Sequence, residues 1–407
     1  QSDLGTLTGT VVFQKEGTPG SGGTGSGGRT GTGGRTGTGG RTGTGSGTAS
    51  GGRTGAGGAT ASGGRTGAGG ATGSGGSTGG GGSAGDGPCD IYAAASPATP
   101  CVGAYAMTRV LSKSYTGPLY QVRKGGSWNK TSGMSGGTFQ DIATIAGGYA
   151  DSAAQDAFCA GGTCTVSKLY DQSGKKNDLT VAPAGCYTGT ASEPDSEGSA
   201  TKKSFNLNGH KVYALYMDPH NGYRNNNCTG VPKGDTSQGV YVLADGTHAG
   251  TACCWDFGNM WPDNCNQHTM NPIFFGTGYW GKGAGSGPWF MGDFEGGVWA
   301  GGSGASNATN NNNPSMKVEF AFGVLKTSSG QYAIRVANGQ SGSLTTAYDG
   351  ASPKRWDNGG AIALGIGGDN SNSSFGTFYE GCVLSGRPSD ATDALVLQNV
   401  QAAGYGK

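Results

Sequence analysis

Gly287–Ala300 reads GPWFMGDFEGGVWA, an apolar and aromatic run that carries two carboxylates two residues apart. Read as a strand, its period of two sends Asp293, Glu295 and Gly297 to one face and Phe294, Gly296 and Val298 to the other. One face is acidic and the other packs. Outward from this stretch the strand signal recurs. SFNLNG (204–209), KVYALYM (211–217), GVYVLADG (239–246), MKVEFAFGVLK (316–326), YAIRVA (332–337) and AIALGIGG (361–368) are short, β-prone and separated by Gly, Asn, Asp and Pro. That pattern predicts an all-β sandwich, jelly-roll or concanavalin-like, with short helices. DSAAQDAF (151–158) is a capped helix, and SDATDALVLQNVQAA (389–403) is the clearest one, with Ser389 as its N-cap.

A further carboxylate, Asp369, stands in GIGGDNSN (365–372), where the apolar strand from Ala361 to Ile366 ends at a turn. Two carboxyls facing each other are what glycoside hydrolysis needs. One protonates the leaving oxygen, the other attacks or activates water, and their separation decides retention or inversion. The alternative, on the residues alone, is that an Asp and a Glu in a turn-rich β protein are solvated or accept from backbone amides.

The chain has 407 residues with 87 glycines and few charges, so its mass is unevenly distributed between core and other segments. Net charge is +1, and the Lys and Arg residues are dispersed or confined to a repeat. This excludes the basic, aromatic-rich surface that nucleic acid requires. No apolar run approaches the roughly 20 residues of a membrane span, and no basic segment precedes an apolar one at Gln1, so a mature, soluble chain is expected.

Ten cysteines without a zinc-type CxxC pair point to disulfides. CDIYAAASPATPC invites a local bridge between Cys89 and Cys101, and CAGGTC another between Cys159 and Cys164. Partners for Cys186, Cys228, Cys265 and Cys382 stay open. The adjacent Cys253 and Cys254 either pair elsewhere or bond to each other as a rigid apolar knob suited to a sugar face. Trp280, Trp289 and Trp299 are equally readable as core or as sugar platforms. His210, His220, His248 and His268 have no metal-ligand spacing, so no metal and no cofactor is expected. Sequons at Asn129, Asn227, Asn307 and Asn372 fit a secreted, extracellular glycoprotein.

The N-terminal region is organised differently. LGTLTGTVVFQ within residues 1–16 reads as one strand without a nearby partner, which joins either its own globular domain or a neighbouring subunit. Residues 17–87 form a Gly/Thr/Arg arm in which threonine recurs every six positions, at Thr24, Thr30, Thr36, Thr42, Thr48, Thr54, Thr60, Thr66, Thr72 and Thr78. Glycine at nearly every third position is compatible with an extended helix of three residues per turn, and the general alternative is a flexible linker. Bundling with other arms, or O-glycans on these threonines, would order it. Self-association into an oligomer or fibre is therefore expected.

Taken together, CDIYA (89–93), YDQSG (170–174), GYRNN (222–226), DGTH (245–248), Cys253-Cys254, GPWFMGDFEGG and GIGGDNSN resemble the α-L-arabinofuranosidases of glycoside hydrolase family 54. The likeness covers the catalytic β-sandwich, about residues 88–405, and does not extend to the family's C-terminal arabinose-binding module. It implies a retaining hydrolase acting on arabinose-containing glycans, with Glu295 as nucleophile and Asp369 as acid/base. It also implies a vicinal Cys253–Cys254 disulfide beneath the sugar ring, and Asp293, Trp280 and the Gly368 backbone as residues that hold the sugar. Asp369 would need a raised pKa and Glu295 would be ionised. One departure stands out. The residue after the matching nucleophile is usually Asn in this family and here is Gly296, which removes an expected hydrogen bond to the sugar. The competing reading is a structural subunit of an extracellular fibre, built by strand donation and arm packing, with little catalysis.

Overall fold

The computed structural model describes residues 85–407 except Tyr187, Asn264, Asn266, Gln267 and Tyr279. The expected N-terminal strand and nearly all of the arm, with its ten threonines, lie outside the described residues. Two antiparallel sheets form a β-sandwich. In spatial order the seven-stranded sheet runs Cys101–Ala106, Gly376–Ser385, Gln238–Ala249, Ala321–Ser328, Gln331–Asn338 and Ser341–Ala351, with Leu215–Met217 also paired to Gly376–Ser385. The ten-stranded sheet runs Val298–Trp299, Trp289–Asp293, Asn271–Gly276, Asp256–Met260, Ala361–Leu364, Tyr223–Asn225, Leu179–Val181, Cys164–Leu169, Tyr120–Lys124 and Thr138–Ile142.

The sheets meet through aromatic side chains set against glycines. A Cβ on Gly323 would stand 2.4 Å from the Phe290 ring, and one on Gly381 would stand 2.7 Å from the Phe257 ring, so only glycine lets these rings reach the opposite sheet. The other face of the seven-stranded sheet is covered by two helices, Pro88–Ala94 and Asp390–Ala402. Tyr92 of the first lies with its ring centroid 6.2 Å from that of Tyr241, and Asp393 of the second accepts from the buried Lys326 ammonium at 2.6 Å. Both faces of the central strands are thus buried, and their sequence is accordingly a near-continuous apolar run.

Most elements read from the sequence are present. Helix Ser152–Cys159 is capped by Asp151, whose carboxylate accepts from Ala154 N at 3.0 Å, and the last helix by Ser389, whose hydroxyl accepts from Thr392 N at 3.1 Å. Three readings are corrected. Met316–Phe320 is not strand, which begins at Ala321. KVYALYM splits at Ala214 into strands of two different sheets. The helix at Pro88–Ala94, with Pro at its first position, was not foreseen in CDIYA.

The expected Cys89–Cys101, Cys159–Cys164 and Cys253–Cys254 disulfides are all formed. Of the four cysteines left open, Cys186 bonds Cys265, and Cys228 and Cys382 are thiols.

Candidate active site

Along Trp289–Asp293 the strand period assigns each side chain. Phe290 points into the sandwich, while Trp289 and Met291 pack on the outer face with Cys254, Phe274, Val298 and Ala300. Asp293 shares that outer parity, and Phe294 turns back into the core against Trp299, Tyr332 and Trp356. The strand ends there, which corrects the expectation for Glu295. With Asp293 paired to Val298, Glu295 and Gly296 become the two central residues of a hairpin turn at φ +64° and +66°. Both being positive is the mark of a type I′ turn, and a glutamate in that region costs about 1 kcal/mol. Glu295 reaches the acidic face because of this turn rather than by strand alternation.

Asp369 is carried by the loop that follows Ala361–Leu364. Its Oδ1 accepts from Ser371 N at 2.8 Å and Ser371 Oγ at 2.5 Å, and the loop is closed by Gly367 N donating to Ser371 O at 2.9 Å. The buried Arg224 of GYRNN underpins it, Nη1 donating to Gly368 O at 2.9 Å. The vicinal cysteines are tied to the same loop: Cys254 N donates to Ser371 O at 3.2 Å, and Ser373 N to Cys253 O at 3.1 Å. Gly367 is favoured by closeness, since a Cβ there would lie 3.3 Å from Cys254 Sγ and 3.2 Å from Asp369 Oδ1 and would press on both.

Cys253, Cys254, Trp280, Asp293, Glu295, Gly296, Gly368 and Asp369 all line one cavity of about 280 Å³, together with Met270, Gly367 and Ser371. The eight residues singled out by sequence therefore converge, from segments more than a hundred residues apart. A larger hollow of about 480 Å³ lies elsewhere on the ten-stranded sheet and is also lined by two acids, but its Glu197 is spent on Arg123 at 2.9 Å and its Asp195 accepts from Asn372 Nδ2 at 2.8 Å. We assign the chemistry to the smaller one.

Its electrostatics are those of a crowded acidic pocket. Burial, then the charge of Asp369, pushes the Glu295 carboxyl up to about 7, while Lys354 and the Gly296 N–H draw it back down. Burial and the charge of Glu295 push Asp293 up to about 8. Asp293 Oδ1 accepts from Glu295 N at 3.2 Å, and its Oδ2 lies 3.4 Å from Cys254 Sγ. Lys354 donates to the backbone carbonyl of Glu295, and a Cβ on Gly296 would stand 3.3 Å from its Nζ. The space beside residue 296 is thus bordered by an ammonium. Sequence reasoning missed Lys354 and Arg224; Arg224 lay within a quoted motif, whereas Lys354 had no local signal.

Three sequons are exposed, at Asn129, Asn227 and Asn307. Asn372 is corrected. It is 2% exposed and its Nδ2 donates to Asp195 Oδ1 at 2.8 Å and Thr190 O at 3.3 Å, so a glycan there would break both bonds.

A β-sandwich that carries a sugar-sized hollow lined by two carboxylates from different loops, one acting on the other through its charge, is a glycoside hydrolase scaffold. The family described as "Alpha-L-arabinofuranosidase B, catalytic" matches residues 88–406. The chain belongs to that family. It is 48% identical over 330 residues to a probable alpha-L-arabinofuranosidase B of Aspergillus fumigatus, covering 78% of this chain and 62% of that protein. To an alpha-L-arabinofuranosidase of Hypocrea jecorina it is 46% identical over 329 residues, covering 78% and 63%. A crystal structure of an arabinofuranosidase complexed with arabinofuranosyl-alpha-1,2-xylobiose superposes with a TM-score of 0.72 at 43% identity, covering 79% of this chain and 66% of the other. The chain thus spans under two thirds of the length of the curated relatives it matches.

Proposed function

We propose that this chain is a retaining α-L-arabinofuranosidase that removes arabinofuranosyl groups from glycans. The observation that carries the reading is that Glu295 and Asp369 line one hollow, where the charge of Asp369 acts on Glu295. With the proton it is to donate in place, Asp369 no longer opposes ionisation of Glu295, whose carboxyl its charge otherwise pushes up. Asp369 gives that proton to the glycosidic oxygen as the bond to the anomeric carbon breaks, and the Glu295 carboxylate bonds to that carbon. Asp369, now ionised, takes a proton from water, whose oxygen displaces Glu295 and releases arabinose. Asp293 and the Cys253–Cys254 disulfide hold the sugar, the former by hydrogen bonds and the latter as a rigid apolar floor.

Four disulfides support an oxidising, extracellular location. The threonine period over residues 17–87 supports an arm that is O-glycosylated and associates with other chains, and deleting residues 1–16 tests whether the first strand drives that assembly. For the activity, arabinose release from an aryl α-L-arabinofuranoside is compared between wild type and Glu295→Ala. A loss of about 10²-fold or more is expected, with the first-formed sugar of retained configuration by NMR. A wild type that releases nothing sinks the reading.

A further inference from the structure

The proposed reaction uses Glu295, Asp369 and Asp293 and leaves one buried acid beside them without a role. Asp256 opens the strand Asp256–Met260 and is 0% exposed. Among the described residues, neither of its carboxyl oxygens has a hydrogen-bond partner. An ionised carboxylate in that position would face the full cost of desolvation with nothing to offset it. What its side chain meets is the carboxyl of Asp293, itself 3% exposed. Two carboxylates cannot both stay ionised at that contact, so one of them holds a proton. As two carboxylates, neither can donate to the other; with a proton on either, one can.

Which of them carries it follows from the donors each already has. Asp293 Oδ1 accepts from Glu295 N, and Asp293 opens into the cavity. Among the described residues Asp256 accepts from nothing, and it does not line that cavity. We propose that Asp256 is a positioning residue, a carboxylic acid that stays protonated at neutral pH and donates to Asp293, favouring the ionised form of that group and holding it in register beneath the sugar site.

The assignment is consistent with the charges around it. Asp293, Asp369 and Glu295 all act on Asp256 and all favour its neutral form, and its pKa lies well above the usual carboxylate range, through burial first and Asp293 second. The nearby cations act further out, Lys354 on Glu295 and Arg224 toward Asp369. A proton on Asp256 also leaves one negative charge fewer beside the small hollow that Asp293, Glu295 and Asp369 line. The inference deepens the hydrolase reading, in which Asp293 holds the sugar, yet its test needs no turnover.

The test is infrared difference spectroscopy at pH 7 between wild type and Asp256→Asn. Expected is the carbonyl stretch of a protonated carboxylic acid in the wild type, moved by D₂O and missing from the variant. Asp293→Asn should keep that band but shift it, because the acceptor changes from a carboxyl group to an amide; this arm decides the matter even if the Asp256→Asn variant does not fold. Thermal or denaturant unfolding supplies a second readout. Unfolded Asp256 releases its proton above about pH 4 while the folded acid keeps it, so its contribution to stability is full below that pH and declines above it. Asp256→Asn should gain on wild type by up to tenfold in the unfolding equilibrium per pH unit above about pH 4. A carboxylate band in place of the acid band, an acid band unmoved by Asp293→Asn, or parallel stability curves would each overturn the assignment. A wild type that shows the acid band but releases no arabinose sinks the hydrolase reading and leaves this one standing.

Discussion

Replacing Lys354 by Met removes the cation that draws the Glu295 carboxyl down while keeping a side chain that can lie against Trp299, whose ring centroid is 5.6 Å from Nζ. Because the ammonium donates to the Glu295 carbonyl, its charge stands on the order of 6 Å from the carboxylate; at an effective dielectric near 20 the attraction is about 3 kcal/mol. Glu295 is partly open to the cavity, so screening reduces that to about 1.4 kcal/mol, roughly one pKa unit. The sign is upward, since a lost positive charge disfavours the ionised form. The Glu295 carboxyl, at about 7 in the wild type, should therefore move toward about 8. Below both values the ionised fraction falls about tenfold, so kcat/KM on 4-nitrophenyl α-L-arabinofuranoside should drop about tenfold near pH 5.5 and change little above pH 9. Lys354→Arg should restore most of it. An acidic limb that stays in place, or moves to lower pH, refutes the argument.

Glu295→Gln should abolish turnover yet stabilise the fold at alkaline pH. A glutamate whose folded pKa is raised to about 7 from the ordinary 4.5 contributes stability that is full below 4.5 and lost as pH rises through about 7. The variant's advantage in denaturant unfolding should open across that window, to about 1 kcal/mol after allowance for partial exposure. Gly297→Ala should collapse the hairpin locally, because its φ is +153° and a Cβ would meet Ser306 Cβ at 2.4 Å; an activity loss of about tenfold or more and a lower Tm are expected. Asn372→Ala should cost about 1–3 kcal/mol by urea unfolding, since it leaves Asp195 Oδ1 without its donor. Peptide mapping by mass spectrometry should find Asn372 without a glycan.

Strands, helix caps and close-range disulfides were legible because the interactions that make them are local. Phe290 and Asp293 went to opposite faces by strand period alone, and Asp151 and Ser389 capped helices through residues three positions away. The catalytic pair was legible by its motifs, although its route to the acidic face was not. A type I′ turn depends on where the hairpin partner pairs, and Val298 could have paired in another register.

By itself, then, the chain's order of residues determined a sandwich, two bridges closing short loops, and which acids were candidates for chemistry. Only the tertiary structure decided that these acids share one hollow, that Arg224 and Lys354 brace the loops bearing them, that Cys186 bonds Cys265, and that Asn372 is sealed inside. The physical reason is the range of the forces involved. Periodicity and capping act over a few residues of backbone, whereas burial, charge coupling and the protonation of Asp256 depend on which distant segments surround a group, and that is known only once the sheets have met.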